Sequence, residues 1–276
     1  MLEFTVLIEN TAEEGLCFEH GLSFWIQFND KKILLDAGSS DQFLSNAELM
    51  HIPVNEADYC VLSHGHYDHS TGFVSYLKAN SMKKLHAGRQ IEQKYYSASK
   101  GPLHSIGVPD ELIGELKNQL VFIDEVTEID KGIYLVPHFK DYSENAEKAK
   151  LYKEKDGIMV LDDFKHEISL LFNTEKGLVV FNSCSHAGVQ NIIEEITVYF
   201  NKPIYAFIGG FHMKGSKNGQ EICIYSKDEI ERLCNRLSDV QYIYTGHCTG
   251  ACSYRLLESF LKERLHPLYS GLKVQL

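Results

Sequence analysis

Residues 61–72, VLSHGHYDHSTG, place three histidines and one aspartate within six positions, at His64, His66, Asp68 and His69. Imidazole and carboxylate groups this close together lose solvation and repel one another unless a cation lies between them. His64 and His66 are two residues apart, so an extended backbone directs both side chains to the same side. Asp68 and His69 follow where the loop turns into a helix, and this turn directs them towards a second point nearby. The segment therefore predicts a metal site.

The ligand types of this segment narrow the choice of metal. Imidazole nitrogen and carboxylate oxygen, without obligatory thiolates, suit zinc, with iron or manganese as alternatives. We expect one or two Zn²⁺ ions per chain.

Three further apolar runs end in small residues followed by a histidine. These runs are LVVFNSCSH, ending at His186, YAFIGGFH, ending at His212, and YIYTGH, ending at His247. Loops at the ends of strands in an α/β sheet meet at one edge, where binding sites are commonly built. Together with the run that ends at His64, they predict a single histidine-rich site at one sheet edge.

The elements that must position these residues follow from hydrophobic periodicity. Short apolar runs alternate with helical patterns, which is typical of an α/β protein. The predicted strands are at 2–8, 23–28, 32–36 and 58–63, and a hairpin at 168–182 turns at Gly177. One helix is predicted near 41–50, and a second is predicted to bury Val189, Ile192, Ile193 and Ile196. A third helix is predicted to begin at a capping box formed by Ser226 and Glu229. No linker or repeat divides the chain, so we predict one domain over 1–276. The irregular stretch at 88–160, which includes KYYSASKGPLHSIGVP, predicts an insertion or lid.

Composition excludes several classes of protein. The 276 residues carry a net charge of −11, and no basic run exceeds two residues, as at Lys83–Lys84. Binding to nucleic acid or to an anionic membrane needs a positive face, so we expect neither, and we expect a small-molecule substrate instead. No apolar run reaches the ~20 residues of a membrane span. The number of subunits stays open.

The chain start and the cysteines indicate the compartment. MLEFTVLIEN lacks the basic start of a signal peptide, and the seven cysteines form no CxxC pair. Reduced thiols and a cytoplasmic location are therefore expected.

The motif H-x-H-x-D-H after an apolar strand resembles the signature of the metallo-β-lactamase superfamily, and Asp36 in ILLDAG resembles its first motif. Four further stretches, EHGLS (19–23), CSHAGV (184–189), GGFH (209–212) and GHCTG (246–250), resemble one subgroup. That subgroup is often labelled after dihydropterin–ribofuranosylaminobenzene phosphate synthase. The resemblance implies an αββα sandwich of two mixed sheets flanked by helices, with a dinuclear metal site.

The resemblance also implies a ligand set. His64 and His66 would bind the first metal, and Asp68, His69 and His247 the second. For the third ligand of the first metal we expect His186, with His166 and His138 as rivals. His247 matches the final histidine of the superfamily. His186 is expected because it follows a strand end two residues after Cys184, whereas His166 and His138 lie nearer the usual position before the hairpin.

Four neighbours complete the predicted site. Cys184 stands where the superfamily places a bridging carboxylate, and it is either a thiolate ligand or a small buried residue. Asp36 either orients a ligating imidazole or satisfies loop amides. His212 is expected to face the substrate or adjoin the metal, and His20 to lie at the edge of the site. Cys248 and Cys252 are four apart and do not make a zinc finger.

A metal ion with an open coordination position activates water, so the leading prediction is a metal-dependent hydrolase in which Asp68 is catalytic. Its substrate would be a small phosphorylated or ester-containing metabolite. One alternative is the condensing activity after which the subgroup is labelled. Another is a redox or non-catalytic metal protein, although flavodiiron relatives typically carry glutamate where this chain has His66.

Overall fold

The computed structural model describes residues 1–99 and 101–276, which form two compact units. Unit 1 comprises Met1–Lys94, Ile106–Glu125 and Leu268–Leu276, and unit 2 comprises Tyr95–Ser105 and Val126–Pro267. The prediction of one domain over 1–276 stays a prediction.

The strands of the described residues follow one another along the whole chain. In chain order they are β1 (Leu2–Ile8), β2 (Ser23–Phe28), β3 (Lys31–Leu35), β4 (Tyr59–Leu62), β5 (Leu85–Gly88), β6 (Tyr95–Ser97), β7 (His104–Ser105), β8 (Leu120–Ile123), β9 (Thr127–Asp130), β10 (Ile133–Pro137), β11 (Leu151–Lys155), β12 (Ile158–Leu161), β13 (Ile168–Thr174), β14 (Gly177–Phe181), β15 (Ile204–Ile208), β16 (Lys214–Lys217), β17 (Gln220–Cys223), β18 (Tyr242–Thr245), β19 (Leu265–Pro267) and β20 (Lys273–Gln275).

Helices occupy the connections between these strands. They are α1 (Gln42–Leu49), α2 (Tyr67–Ser70), α3 (Gly72–Ala79), α4 (Asp110–Ile113), α5 (Ser143–Ala149), α6 (Val189–Phe200), α7 (Lys227–Arg236) and α8 (Ala251–Leu261), with short 3-10 turns at Val54–Glu56, Arg89–Glu92, Lys117–Gln119, His247–Thr249 and Lys262–Arg264. Within the part of the chain that the structure describes, none of the helices is both long enough and apolar enough to cross a bilayer.

Unit 1 is built on a mixed seven-stranded sheet in the order β20-β1-β2-β3-β4-β5-β8. Strands β3, β4, β5 and β8 are parallel neighbours. Phe43 of α1 and Phe73 and Leu77 of α3 join Leu34 and Leu62 of the sheet in one buried core. Because parallel strands end at the same edge, the residues directly after β3 and β4 become neighbours.

Unit 2 contains a second mixed sheet in the order β19-β18-β15-β14-β13-β10-β9. Strands β14, β15, β18 and β19 run parallel, and β13 and β14 form the predicted hairpin. The residues of both hairpin strands are mostly apolar and mostly buried, as is typical of strands in the interior of a protein. Smaller sheets, β12-β11-β6-β7 and β16-β17, complete the unit.

Most predicted elements are present within one or two residues of their predicted ends. Ser226 and Glu229 form the predicted capping box, in which each side chain meets the backbone N–H of the other residue. Val189, Ile192 and Ile196 are buried in α6 as predicted, whereas Ile193 is only half-buried.

The stretch at 88–160 is more regular than its sequence indicates. It carries strands β6 to β12 and helices α4 and α5, and Lys100 lies outside the described residues. Strands such as β12, whose residues are exposed or half-buried, lack the clear apolar alternation that sequence analysis needs.

Candidate metal-binding clusters

The predicted metal-binding segment of unit 1 is a loop held in place at both ends. Strand β4 ends at Leu62, and α2 begins at Tyr67, directly after the extended residue His66. His66 pairs with Gly107 across an isolated bridge, and the backbone N–H of Tyr67 donates to the Ile106 carbonyl at 2.9 Å. The loop therefore has a defined backbone.

This loop brings all four of its predicted ligands, His64, His66, Asp68 and His69, into buried positions. We call these four residues the signature cluster. The ring centroid of His64 lies 4.6 Å from that of His66 and 4.3 Å from that of His69. Crowded, buried ring nitrogens of this kind match the donor set that zinc prefers.

Hydrogen bonds orient two of these imidazoles. His69 Nδ1 lies 2.8 Å from Asp36 Oδ2. Because a carboxylate only accepts, Nδ1 carries the proton and Nε2 keeps its lone pair. Similarly, the Ser63 hydroxyl donates to Asp36 at 2.7 Å, so His64 Nδ1–H donates to Ser63 Oγ at 2.8 Å and the lone pair of His64 lies on Nε2. Metal-ligating histidines are commonly held by such bonds to a carboxylate.

Asp36 performs both of the roles that the sequence left open. It orients His69, and it also accepts the backbone N–H of Ser63 at 2.7 Å. Its φ of +58° places it in the left-handed region that most residues avoid. The role of Ser63 as a relay to His64 was missed, since a serine before a histidine has no distinctive spacing.

His20 lies at the edge of the signature cluster. Its Nε2 is 3.3 Å from Asp68 Oδ2, and 44% of its side chain is exposed. The neighbouring Glu19 has a structural role, since its carboxylate accepts hydrogen bonds from the backbone N–H groups of Ser39 and Ser40. His20 thus connects Asp68 to solvent.

In unit 2, three loops follow the parallel strands β14, β15 and β18 and meet at their carboxyl ends. Gly209 and Gly210 make this approach feasible. A Cβ on Gly209 would lie 1.8 Å from the Asn182 carbonyl oxygen, and one on Gly210 would lie 2.4 Å from Cys248 Sγ. Only glycine fits at both positions.

These loops carry the strand-end cluster, which comprises Cys184, His186, His212, His247 and Cys248. The ligand atoms of Cys184, His247 and Cys248 lie within 4.8 Å of one another. The ring centroids of His186 and His212 are 4.2 Å apart. Sequence analysis did not identify Cys248 as a site residue. The feature that could have indicated it is its position directly after the candidate ligand His247.

Backbone strain accompanies this cluster. Ser185, His212 and His247 have φ values of +54°, +46° and +50°. Each such residue costs on the order of 1–3 kcal/mol, and strain of this kind gathers at functional sites.

His186 is held firmly in position. Its backbone N–H and that of Ala187 donate to the two Glu167 oxygens at 2.8 and 2.9 Å, and Phe164 stacks on its ring at 4.9 Å. Burial raises the pKa of Glu167, while His138 and the two backbone N–H groups oppose that rise.

The rival His138 has both ring nitrogens engaged elsewhere. Its Nδ1 lies 2.9 Å from Glu195 Oε2 and its Nε2 lies 2.8 Å from Ser169 Oγ. His166 Nε2 lies 3.0 Å from Asp162 Oδ2. These contacts favour His186 over His138 as a ligand.

The four strand-end histidines do not all follow strands of one sheet, so this part of the expectation is wrong. His64 follows β4 in the sheet of unit 1, whereas the other three follow strands in the sheet of unit 2. Strand-end patterns do not specify which sheet a strand joins.

A family model described as the metallo-beta-lactamase superfamily matches residues 18–150. A 7,8-dihydropterin-6-methyl-4-(beta-D-ribofuranosyl)-aminobenzene-5'-phosphate synthase from Methanocaldococcus jannaschii is 30% identical over 269 residues, covering 92% of this chain and 88% of the relative. An uncharacterised protein of the same organism is 31% identical over 255 residues, covering 89% and 90%.

A solved structure extends the likeness to the whole fold. It is described as a metal-dependent hydrolase of the beta-lactamase superfamily, and it matches with a TM-score of 0.82 and 27% identity over 100% of this chain and 99% of that one. The predicted α/β fold of the metallo-β-lactamase type is confirmed.

Proposed function

We propose that this protein is a metal-dependent hydrolase of small phosphorylated or ester substrates. The premise is that the chain belongs to the metallo-β-lactamase superfamily. The observation that carries the proposal is the bonding of the signature cluster. Asp36 orients His69 directly and His64 through Ser63, which places the proton of each buried imidazole on Nδ1 and its lone pair on Nε2. Histidines that ligate a metal are commonly oriented by such bonds to a carboxylate.

The donor set fits zinc. We assign His64, His66, Asp68 and His69 as ligands from the geometry of their loop. His247 is assigned from the final histidine of the superfamily signature, and His186 from its place at a strand end two residues after Cys184. One or two Zn²⁺ ions are proposed, with iron or manganese as alternatives. When bound, such an ion lowers the pKa of a coordinated water and polarises the substrate.

Asp68 is the proposed proton acceptor. It is the carboxylate of the signature cluster, and 12% of its side chain is open to solvent. His20, 3.3 Å away and well exposed, can pass a proton from Asp68 to bulk water. Asp36 cannot serve in this way, because it is wholly buried and its oxygens already accept from Ser63 and His69.

A condensing synthase is the second candidate. The observation in its favour is the 30% identity, over 92% of this chain, to a relative named as such a synthase. In that reaction a dihydropterin diphosphate would join an aminobenzene riboside phosphate, and the same ligands would assist departure of diphosphate.

Metal analysis and turnover test the proposal together. Full-length protein purified without chelator is analysed for metal by mass spectrometry, then stripped and reloaded with zinc, iron or manganese. Each form is assayed on phosphate monoesters, phosphodiesters and carboxyl esters, and separately on the dihydropterin and riboside pair. We expect bound zinc, loss of hydrolysis on stripping and recovery with zinc. Protein that carries metal but turns over only the condensing pair would select the synthase, and protein without metal would contradict both.

A further inference from the structure

We propose that Cys184 and Cys248 are a pair of thiolate ligands that bind a metal ion together with His247. The inference rests on the proposed metal dependence and makes it more specific, because thiolate ligands select metals such as zinc over magnesium and calcium. Its basis is a distance: Cys184 Sγ and Cys248 Sγ are 3.4 Å apart, and the ligand atoms of all three residues lie within 4.8 Å of one another.

The separation of the sulfurs suits a shared metal ion. Zinc–sulfur bonds of about 2.3 Å in a tetrahedral site place two sulfurs about 3.8 Å apart, so metal binding asks for a shift of only about 0.4 Å. A disulfide would require the sulfurs to approach to about 2.05 Å, a movement more than three times larger.

The fold builds this pair from two separate loops. Cys184 follows β14 and Cys248 follows β18, the two strands on either side of β15. The loop after β15 makes room for the second sulfur, since any side chain at Gly210 would begin 2.4 Å from Cys248 Sγ. His247, at a φ of +50°, holds the strained turn from which Cys248 projects.

Other buried cysteines of the chain show what simple packing looks like. Burial raises the pKa of Cys60 and of Cys234 to about 11, and neither belongs to a group of ligand atoms among the described residues. Cys184 and Cys248 are also buried, but their sulfurs lie next to each other and within 4.8 Å of a ring nitrogen of His247. Cys60 and Cys234 are therefore expected to have only a packing role, whereas the arrangement of Cys184 and Cys248 suits metal ligands.

Thiolate ligation has a definite chemical consequence. Two thiols bind one divalent ion and release two protons, so the sulfurs and the ion together carry no net charge. Soft sulfur donors select zinc, iron or cobalt over magnesium and calcium. They also supply the negative charge that the superfamily signature assigns to a bridging carboxylate at Cys184.

Cobalt substitution of the full-length protein tests the pair directly. Stripped protein is loaded with Co²⁺, the bound cobalt per chain is counted by mass spectrometry, and the near-ultraviolet thiolate-to-cobalt charge-transfer absorption is recorded. We expect this absorption in the wild type, a partial loss in Cys184→Ser and in Cys248→Ser, and a complete loss in the double variant. Cys60→Ser and Cys234→Ser are the matched controls and should keep the full absorption.

A second measurement needs no variant. X-ray absorption at the zinc edge of the wild-type protein should show sulfur scatterers at about 2.3 Å from the metal. Bound cobalt or zinc without either sulfur signal overturns the thiolate pair and leaves the proposed hydrolase intact. A chain that binds neither ion overturns the proposed function and this inference together.

Discussion

His69 Nδ1 lies 2.8 Å from Asp36 Oδ2, and both side chains are completely buried. The residues are 33 positions apart and meet because Asp36 follows β3 and His69 lies in α2, just beyond the neighbouring strand β4. A buried carboxylate that also accepts from Ser63 fixes the orientation of the imidazole. This relationship makes metal affinity depend on a residue that need not touch the metal.

Asp36→Asn should lower zinc affinity by about 10- to 100-fold, the range for losing a carboxylate behind a ligating histidine. The amide cannot satisfy His69 Nδ1–H and Ser63 together as the carboxylate does. Competition with a chromophoric chelator measures the affinity. Ser63→Ala is the matched variant, and it should weaken zinc less because it leaves the bond to His69 intact. Unchanged affinity in Asp36→Asn would exclude the orienting role.

His64→Ala or His66→Ala should strip metal and abolish activity while the fold survives. Both side chains lie in a loop beyond β4, and the apolar core of unit 1 does not include them. Metal content and circular dichroism of each variant give the answer. His104→Ala, at an exposed position, is the control and should keep its metal. Wild-type metal content in folded His64→Ala or His66→Ala would refute the assignment.

His186→Ala should lose metal, whereas His138→Ala should retain it. Substitution of His138 leaves Glu195 and Ser169 without their shared partner, so its free energy of unfolding should fall by about 1–3 kcal/mol. Chemical denaturation and metal stoichiometry separate the two effects. Metal loss confined to His166→Ala, the other rival, would transfer the ligand role to that residue.

Asp68→Asn should reduce turnover by about 10²-fold or more at saturating zinc, because an amide cannot accept a proton. His20→Ala should reduce it less, since solvent also reaches Asp68. The measurement is kcat on any substrate that the wild type cleaves, together with the melting temperature. A loss that follows only the melting temperature would make the role of Asp68 structural.

Glu229→Gln should make the protein less sensitive to acid. A salt bridge with Lys148 at 2.6 Å, followed by bonds from Ser226, lowers the pKa of Glu229 from its ordinary 4.5 to about 2. A depressed folded-state pKa stabilises the protein above pH 4.5, and this contribution is lost as the pH falls towards 2.

Urea unfolding at several pH values checks this expectation. At pH 7 the variant should be less stable by about 0.5–1 kcal/mol, an amount reduced by the partial exposure of the pair. Below pH 4.5 the difference from wild type should shrink. Glu231→Gln, an exposed change on the same helix, should match the wild type throughout. A constant difference at all pH values would exclude the linkage.

Sequence alone determined the features that depend on neighbouring residues. The four residues of the signature cluster lie within six consecutive positions, and the capping box of Ser226 and Glu229 spans one helical turn. Apolar periodicity likewise predicted β1 to β4, the hairpin of β13 and β14, and α6. Local backbone geometry directs these side chains, so their arrangement can be inferred before any tertiary contact is known.

Only the tertiary structure decided which distant residues meet. Cys184 and Cys248 are 64 positions apart, and their sulfurs approach only because β14 and β18 flank β15 in one sheet. From the sequence His138 was a candidate ligand, but in the fold its two ring nitrogens contact Glu195 and Ser169. Strand order and register set such contacts, and many pairings satisfy the same apolar pattern. The physical reason is that a hydrophobic pattern specifies which face of a strand is buried, whereas the partner of that face is chosen by the packing of the whole chain.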